Sequence, residues 1–149
     1  MESLADVFIR ARTSPVDWQG EPIYAAYEFL ETPERLAVSF VSFAPEPVQG
    51  LRFKIRGGSL RISGQIEDEF TLWVDTAPSF FEIDIERSRG KPLLRVWNVW
   101  RTASGIEQAW LNNAAMKVSE SLEGGVLLRC SDGVGPPAFD DFVVHMSGV

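Results

Sequence analysis

The sequence predicts an all-β fold: an antiparallel β-sandwich, jelly-roll-like or immunoglobulin-like, of about eight to ten strands. Three observations predict it. Apolar residues recur with a period of two in segment after segment, the mark of strands with one buried and one wet face. Gly, Pro, Asp and Asn interrupt these segments at short intervals, as sandwiches and barrels require. The stretch "LRFKIRGGSLRIS" carries a hairpin signal, because Gly57–Gly58 tolerates the positive φ of a two-residue turn.

Taken in order, "DVFIRAR" alternates and predicts a first strand. "EPIYAAYEFLETPERL" fits two periods, with Ile23, Tyr27 and Leu30 at helical spacing and Ile23, Ala25, Tyr27 and Phe29 alternating. Its β surroundings tip it to strand, and Pro33 ends either element. "RLAVSFVSF" reads as a strand; with so little charge it is a pairing risk at a sheet edge and points towards a homodimer.

In the predicted hairpin Ile55 faces Leu60 and Phe53 faces Ile62, which sets Lys54 against Arg61. That like-charge pair calls for acid nearby, and Glu82, Asp84 and Glu86 of "FFEIDIER" supply it if their strand lies alongside. "EFTLWVD" alternates Phe70, Leu72 and Val74 with Thr71, Trp73 and Asp75. "LLRVWNVWR", "GVLLRCS" and "FDDFVVHM" complete the strands. "GIEQAWLNNAAM" is mixed, with "NN" marking a turn into "AAMKVS". No repeat or linker divides the chain, so residues 1–149 are expected to form one domain.

A length of 149 residues is enough to bury a core without disulfides or metal. The formal charge of −7 disfavours nucleic acid and anionic membranes as partners and is compatible with an acidic intracellular inhibitor of immunity type. The single cysteine, Cys130, excludes an intrachain disulfide. "MESLADVFIRARTSP" has no basic stretch followed by an apolar one, so a cytoplasmic location is expected.

The most suggestive chemistry lies in "LRCSDGVGPPAFDDFVV", residues 128–144. Asp132, Asp140 and Asp141 could contribute oxygens to a hard cation such as Ca2+, with Ser131 and loop carbonyls completing the shell. The competing reading is a wide turn stiffened by Pro136 and Pro137, with Asp141 turned inward onto backbone N–H groups, Arg129 or a cation. The segment Cys130–Val144 resembles the C-terminal calcium loop of small two-sheet bacterial calcium-dependent lectins, through Asp132, Gly133, Phe139, Asp140, Asp141 and the valines that follow. The resemblance implies calcium-assisted carbohydrate binding through the 131–141 loop. Between Gly133 and Phe139, where the lectins carry further acids, stand Val134, Gly135, Pro136, Pro137 and Ala138.

Five tryptophans are candidates for a contact surface, since flat rings stack on sugars and anchor protein interfaces. Alternation puts Trp97 beside Arg95 and Arg101, and Trp73 beside Thr71 and Asp75, all on wet faces. A ligand or partner contact at Trp73, Trp97, Arg95 and Arg101 is therefore expected. Catalytic residues are not evident. Cys130 shares a face with Val126 and Leu128 and reads as buried, and His145 lies on a valine-rich strand. The functional expectation is a non-catalytic binding or interaction module without a required cofactor. Its partner would be a protein or a carbohydrate.

Overall fold

Alternating strands with one apolar face are stable when two such faces meet. The computed structural model describes residues 2–148 and shows this arrangement. After a helix α1 (Leu4–Ala11) come β1 (Val16–Trp18), β2 (Glu21–Ile23), β3 (Tyr27–Glu28), β4 (Arg35–Phe43), β5 (Val48–Arg56), β6 (Gly58–Ile62) and β7 (Gln65–Glu67). They are followed by β8 (Glu69–Trp73), β9 (Phe80–Arg87), β10 (Leu93–Arg101), β11 (Glu107–Gln108), β12 (Ala115–Glu120), β13 (Val126–Ser131) and β14 (Phe142–Gly148). Fourteen strands exceed the expected number because five of them, β1, β2, β3, β7 and β11, are only two or three residues long.

Beside a two-stranded sheet, β1–β2, there are two large sheets: one runs β11–β10–β5–β8, with β3 also on β10, and the other runs β12–β13–β14–β4–β9–β6–β7. All strand pairs are antiparallel. The core lies between the sheets. Leu36, Val38 and Phe40 of β4, and Phe81, Ile83 and Ile85 of β9, face Leu51, Phe53 and Ile55 of β5. Each such side chain contributes roughly 1.5–3 kcal/mol on burial.

Four expectations need correction or refinement. The Gly57–Gly58 turn does not close a hairpin: β5 and β6 belong to different sheets, and the glycines form a corner between layers. Gly57 has φ 72°, and a Cβ there would lie 2.8 Å from the Arg89 carbonyl, so a side chain is excluded twice over. The faces were still legible, since Ile55 and Leu60 both reach the core. Lys54 and Arg61 end up apart; Lys54 lies 3.9 Å from Glu69 and Arg61 3.2 Å from Glu86. The acidic strand β9 does lie beside β6, with Arg61 opposite Asp84.

"DVFIRAR" is helical rather than extended. Ser3 and Asp6 make a reciprocal capping box at 3.2 Å, and Leu4, Val7 and Phe8 share the helical face. Leu4 packs with Ile23 and Ala115 in a small second core that Phe8, Val16, Trp18 and Phe139 surround. "AVSFVSF" is no edge, because β4 is hydrogen-bonded on both sides, to β14 and β9. Residues 22–34 contain only strand fragments, within β2 and β3, and the "NN" turn leads into β12 as expected. Among the described residues, no helix is long and apolar enough to cross a membrane.

Candidate functional site

The 131–141 loop joins β13 to β14, and its acids are engaged by its own backbone. Asp132 is 2% exposed; its carboxylate accepts the Val134 N–H at 2.8 Å and the Gln49 amide at 2.8 Å. Asp141 Oδ2 accepts the Asp132 N–H at 3.0 Å, and Ser131 Oγ accepts the Ala138 N–H at 3.1 Å. Asp140 is exposed. Burial, aided by the negative charges of Asp132 and Asp140, pushes the Asp141 carboxyl up to about 6. The Asp141 carboxyl lies near those of Asp132 and Asp140, which repel its charge. Among the described residues, no group of three or more His, Cys, Asp or Glu is placed to hold a metal ion. This geometry is that of a turn held by carboxylate caps.

Two buried amides fasten the loop base to the opposite sheet. Gln49 of β5 donates to Asp132, and Asn98 of β10 donates to the Ser131 carbonyl at 3.0 Å. The reactive side chains are kept apart. Cys130 is wholly buried on the core face, and burial raises its thiol far above neutrality. His145 lies on the outer face of β14, its Nε2 2.8 Å from the Gly124 carbonyl.

The expected tryptophan patch is only partly on the surface. Trp97 lies beside Arg52 on the outer face of its sheet, as alternation requires, yet it is 5% exposed. The segment after β10 turns back along the sheet edge as β11 and then stacks Trp110 on Trp97, with ring centroids 4.9 Å apart and planes at 28°. Trp97 is therefore withdrawn from the contact surface. Trp73 lies flat across Gly50, where a Cβ would come within 2.6 Å of the ring. The Arg101 guanidinium covers it at 4.5 Å and pairs with Asp75. Arg95 is exposed and lies 3.8 Å from Glu28. Between them Arg52 reaches Glu69 at 2.6 Å, Thr71 at 2.9 Å and Glu107 at 3.0 Å. Most charges on this face are satisfied within the molecule.

The exposed ring is Trp110, which lies on a flank built from α1, the β1–β2 hairpin and the loops before β12 and after β13. Four of the five non-glycine residues with left-handed φ lie on or beside this flank: Arg12, Gln19, Trp110 and Asn112. Trp110 has φ 57°; its indole N–H donates to the Ala25 carbonyl at 2.9 Å, and it remains 49% exposed. With Ala5, Phe8, Ile9, Ala25 and Ala114 it lines an apolar dent of ≈ 230 Å3. Beyond α1 lies a groove of ≈ 700 Å3, where Trp18, Gln19, Asn112, Asn113, Gly133 and Pro136 are among the lining residues.

The N-terminal donors of α1 that face this groove are already taken. The Leu4 N–H donates to Asn113 Oδ1 at 3.2 Å, and the Ala5 N–H to the Asn112 carbonyl at 2.7 Å. The same two asparagines donate to the Gly133 and Gly135 carbonyls, so one short turn ties helix and loop together. The sequence signal for this flank was present in "AWLNN": two large apolar residues beside two turn formers place a Trp and a Leu in a loop. Comparison of the chain with protein-family models, curated proteins and solved structures returns no match.

Proposed function

We propose that this protein is a non-catalytic binding module that receives an apolar side chain of a protein partner in the Trp110 dent. The observation that carries this reading is the state of the Trp110 ring. Its one polar atom is bonded internally and one ring face is fixed on Trp97, so the remaining exposed surface is rigid and apolar. Aromatic anchors held in one rotamer make good interface centres, because little side-chain entropy is lost on binding. Ile9, 72% exposed at the rim, adds further apolar contact.

A second reading is favoured by the neighbouring groove. Its lining joins the Trp18 ring to the Gln19 side-chain amide and to the hydrogen-bonding capacity that Asn112 and Asn113 keep beyond their bonds to the helix and loop, and its one carboxylate, Glu2, is paired with Arg10. A neutral, hydroxyl-rich ligand such as a saccharide suits that chemistry, and it would bind without help from calcium.

The five tryptophan indole N–H signals in an NMR spectrum separate the two readings. Peptides selected from a displayed random library should carry a bulky apolar anchor and shift the Trp110 signal; Trp110→Ala should abolish their binding. Neutral oligosaccharides shifting Trp18 instead would replace the first reading with the second. If neither probe moves either signal, both readings of this flank fail.

A further inference from the structure

The outer face of the seven-stranded sheet is covered at β12, where Ala115 and Lys117 meet β2 and Phe139, and bare beyond it. Its middle, across β13, β14, β4 and β9, is uncharged: Val41, Phe80, Leu127 and Val143 stand there with Ser39 and His145. Val41 is 57% and Phe80 56% exposed, on a face that would ordinarily be polar where it meets water. The flanks carry opposite charges. On β13, Arg129 is exposed and has no ion-pair partner among the described residues. On β9, Glu82 is exposed and forms no ion pair within 4.0 Å among the described residues, although its charge acts on Arg35, whereas its neighbours Asp84 and Glu86 are bound by Arg35 and Arg61.

We infer that this face is an isologous interface between two copies of this chain. A two-fold axis lying in the plane of the sheet, midway between Arg129 and Glu82, sets each copy's Arg129 against the other copy's Glu82. The same axis brings the two uncharged middles together. A face that is apolar at its centre, with one unpaired charge of each sign on opposite flanks, is complementary to itself. The four strands β13, β14, β4 and β9, spaced about 4.8 Å apart, and five residues of about 3.3 Å rise give a planar area of roughly 320 Å2 per copy. That lies well below the standard ~800 Å2 per partner, which points to a weak dimer. The inference does not depend on the Trp110 reading, which concerns a different part of the surface.

Sedimentation equilibrium of the full chain from about 1 to 500 µM tests this, because a weak dimer becomes populated towards the upper end of that range. The wild type should pass from monomer to dimer. Phe80→Lys should leave it monomeric throughout, with thermal melts confirming that the variant folds. Arg129→Glu and Glu82→Arg should each raise the dissociation constant roughly 10-fold, and the double charge swap should restore it. A chain that stays monomeric at the highest concentration overturns the inference and assigns the face to solvent or to a different protein. A dimer insensitive to Phe80→Lys, or a double swap no better than its single changes, also overturns it.

Discussion

Trp97 and Phe80 obey the same rule and meet different fates. Both are large apolar residues that strand alternation points away from the central core, one on each sheet. Trp97 is 5% exposed and Phe80 is 56% exposed. The difference arises from what the chain does afterwards. Beyond β10 it returns as β11 along the edge of its sheet, bringing the Glu107 side chain to Arg52 and then laying Trp110 on Trp97. No segment returns across the middle of the other face. Strand alternation assigns a side chain to a face, and the connections decide whether that face is covered.

Truncation to alanine gives the largest contrast. Trp97→Ala removes a nearly buried ring stacked on Trp110 and should cost about 3–5 kcal/mol in urea unfolding. Phe80→Ala at monomeric concentration should stay within about 0.5 kcal/mol of wild type. Equal costs at the two sites would break the comparison.

A smaller effect sharpens the account of the 131–141 loop, which is tied to the covered sheet through Gln49. The Asp141 carboxyl, raised to about 6 from 3.8 chiefly by burial, holds its proton more tightly folded than unfolded. Its charge therefore costs stability that is absent below about pH 3.8 and complete above about pH 6. Asp141→Asn keeps an acceptor for the Asp132 N–H and removes the charge. Its melting temperature relative to wild type should rise between pH 4.5 and pH 7.5; a pH-independent difference would show that Asp141 is an ordinary surface acid.

Much of the fold could be read from spacing alone. Leu51, Phe53 and Ile55, and likewise Phe81, Ile83 and Ile85, face the core as alternation required. Strand partners were less legible. Gly57–Gly58 satisfies a hairpin and a corner equally well, and the choice rests on contacts with Glu86 and Arg89 some thirty residues away. Helix α1 was legible but overlooked, since its capping box, Ser3 to Asp6, is local whereas the alternating "VFIRAR" suggested a strand.

In the loop, the turn reading rests on what sequence shows poorly. Asp132 is engaged by a glutamine from another sheet, 83 positions away. Trp97 was assigned the correct face, and only the later path of the chain buried it. Trp110, the ring left exposed, was one of five candidate tryptophans but could be assigned no face, because it lies outside any periodic segment.

Hydroxyl-radical footprinting of dilute protein, read residue by residue, tests the central claim that one outer face is covered and the other open. The account predicts rapid oxidation of Trp110 and Phe80, with Trp97 protected to the same degree as the core residue Trp100. Trp97 oxidised as fast as Trp110 would contradict it, because the segment after β10 would then not lie over its sheet.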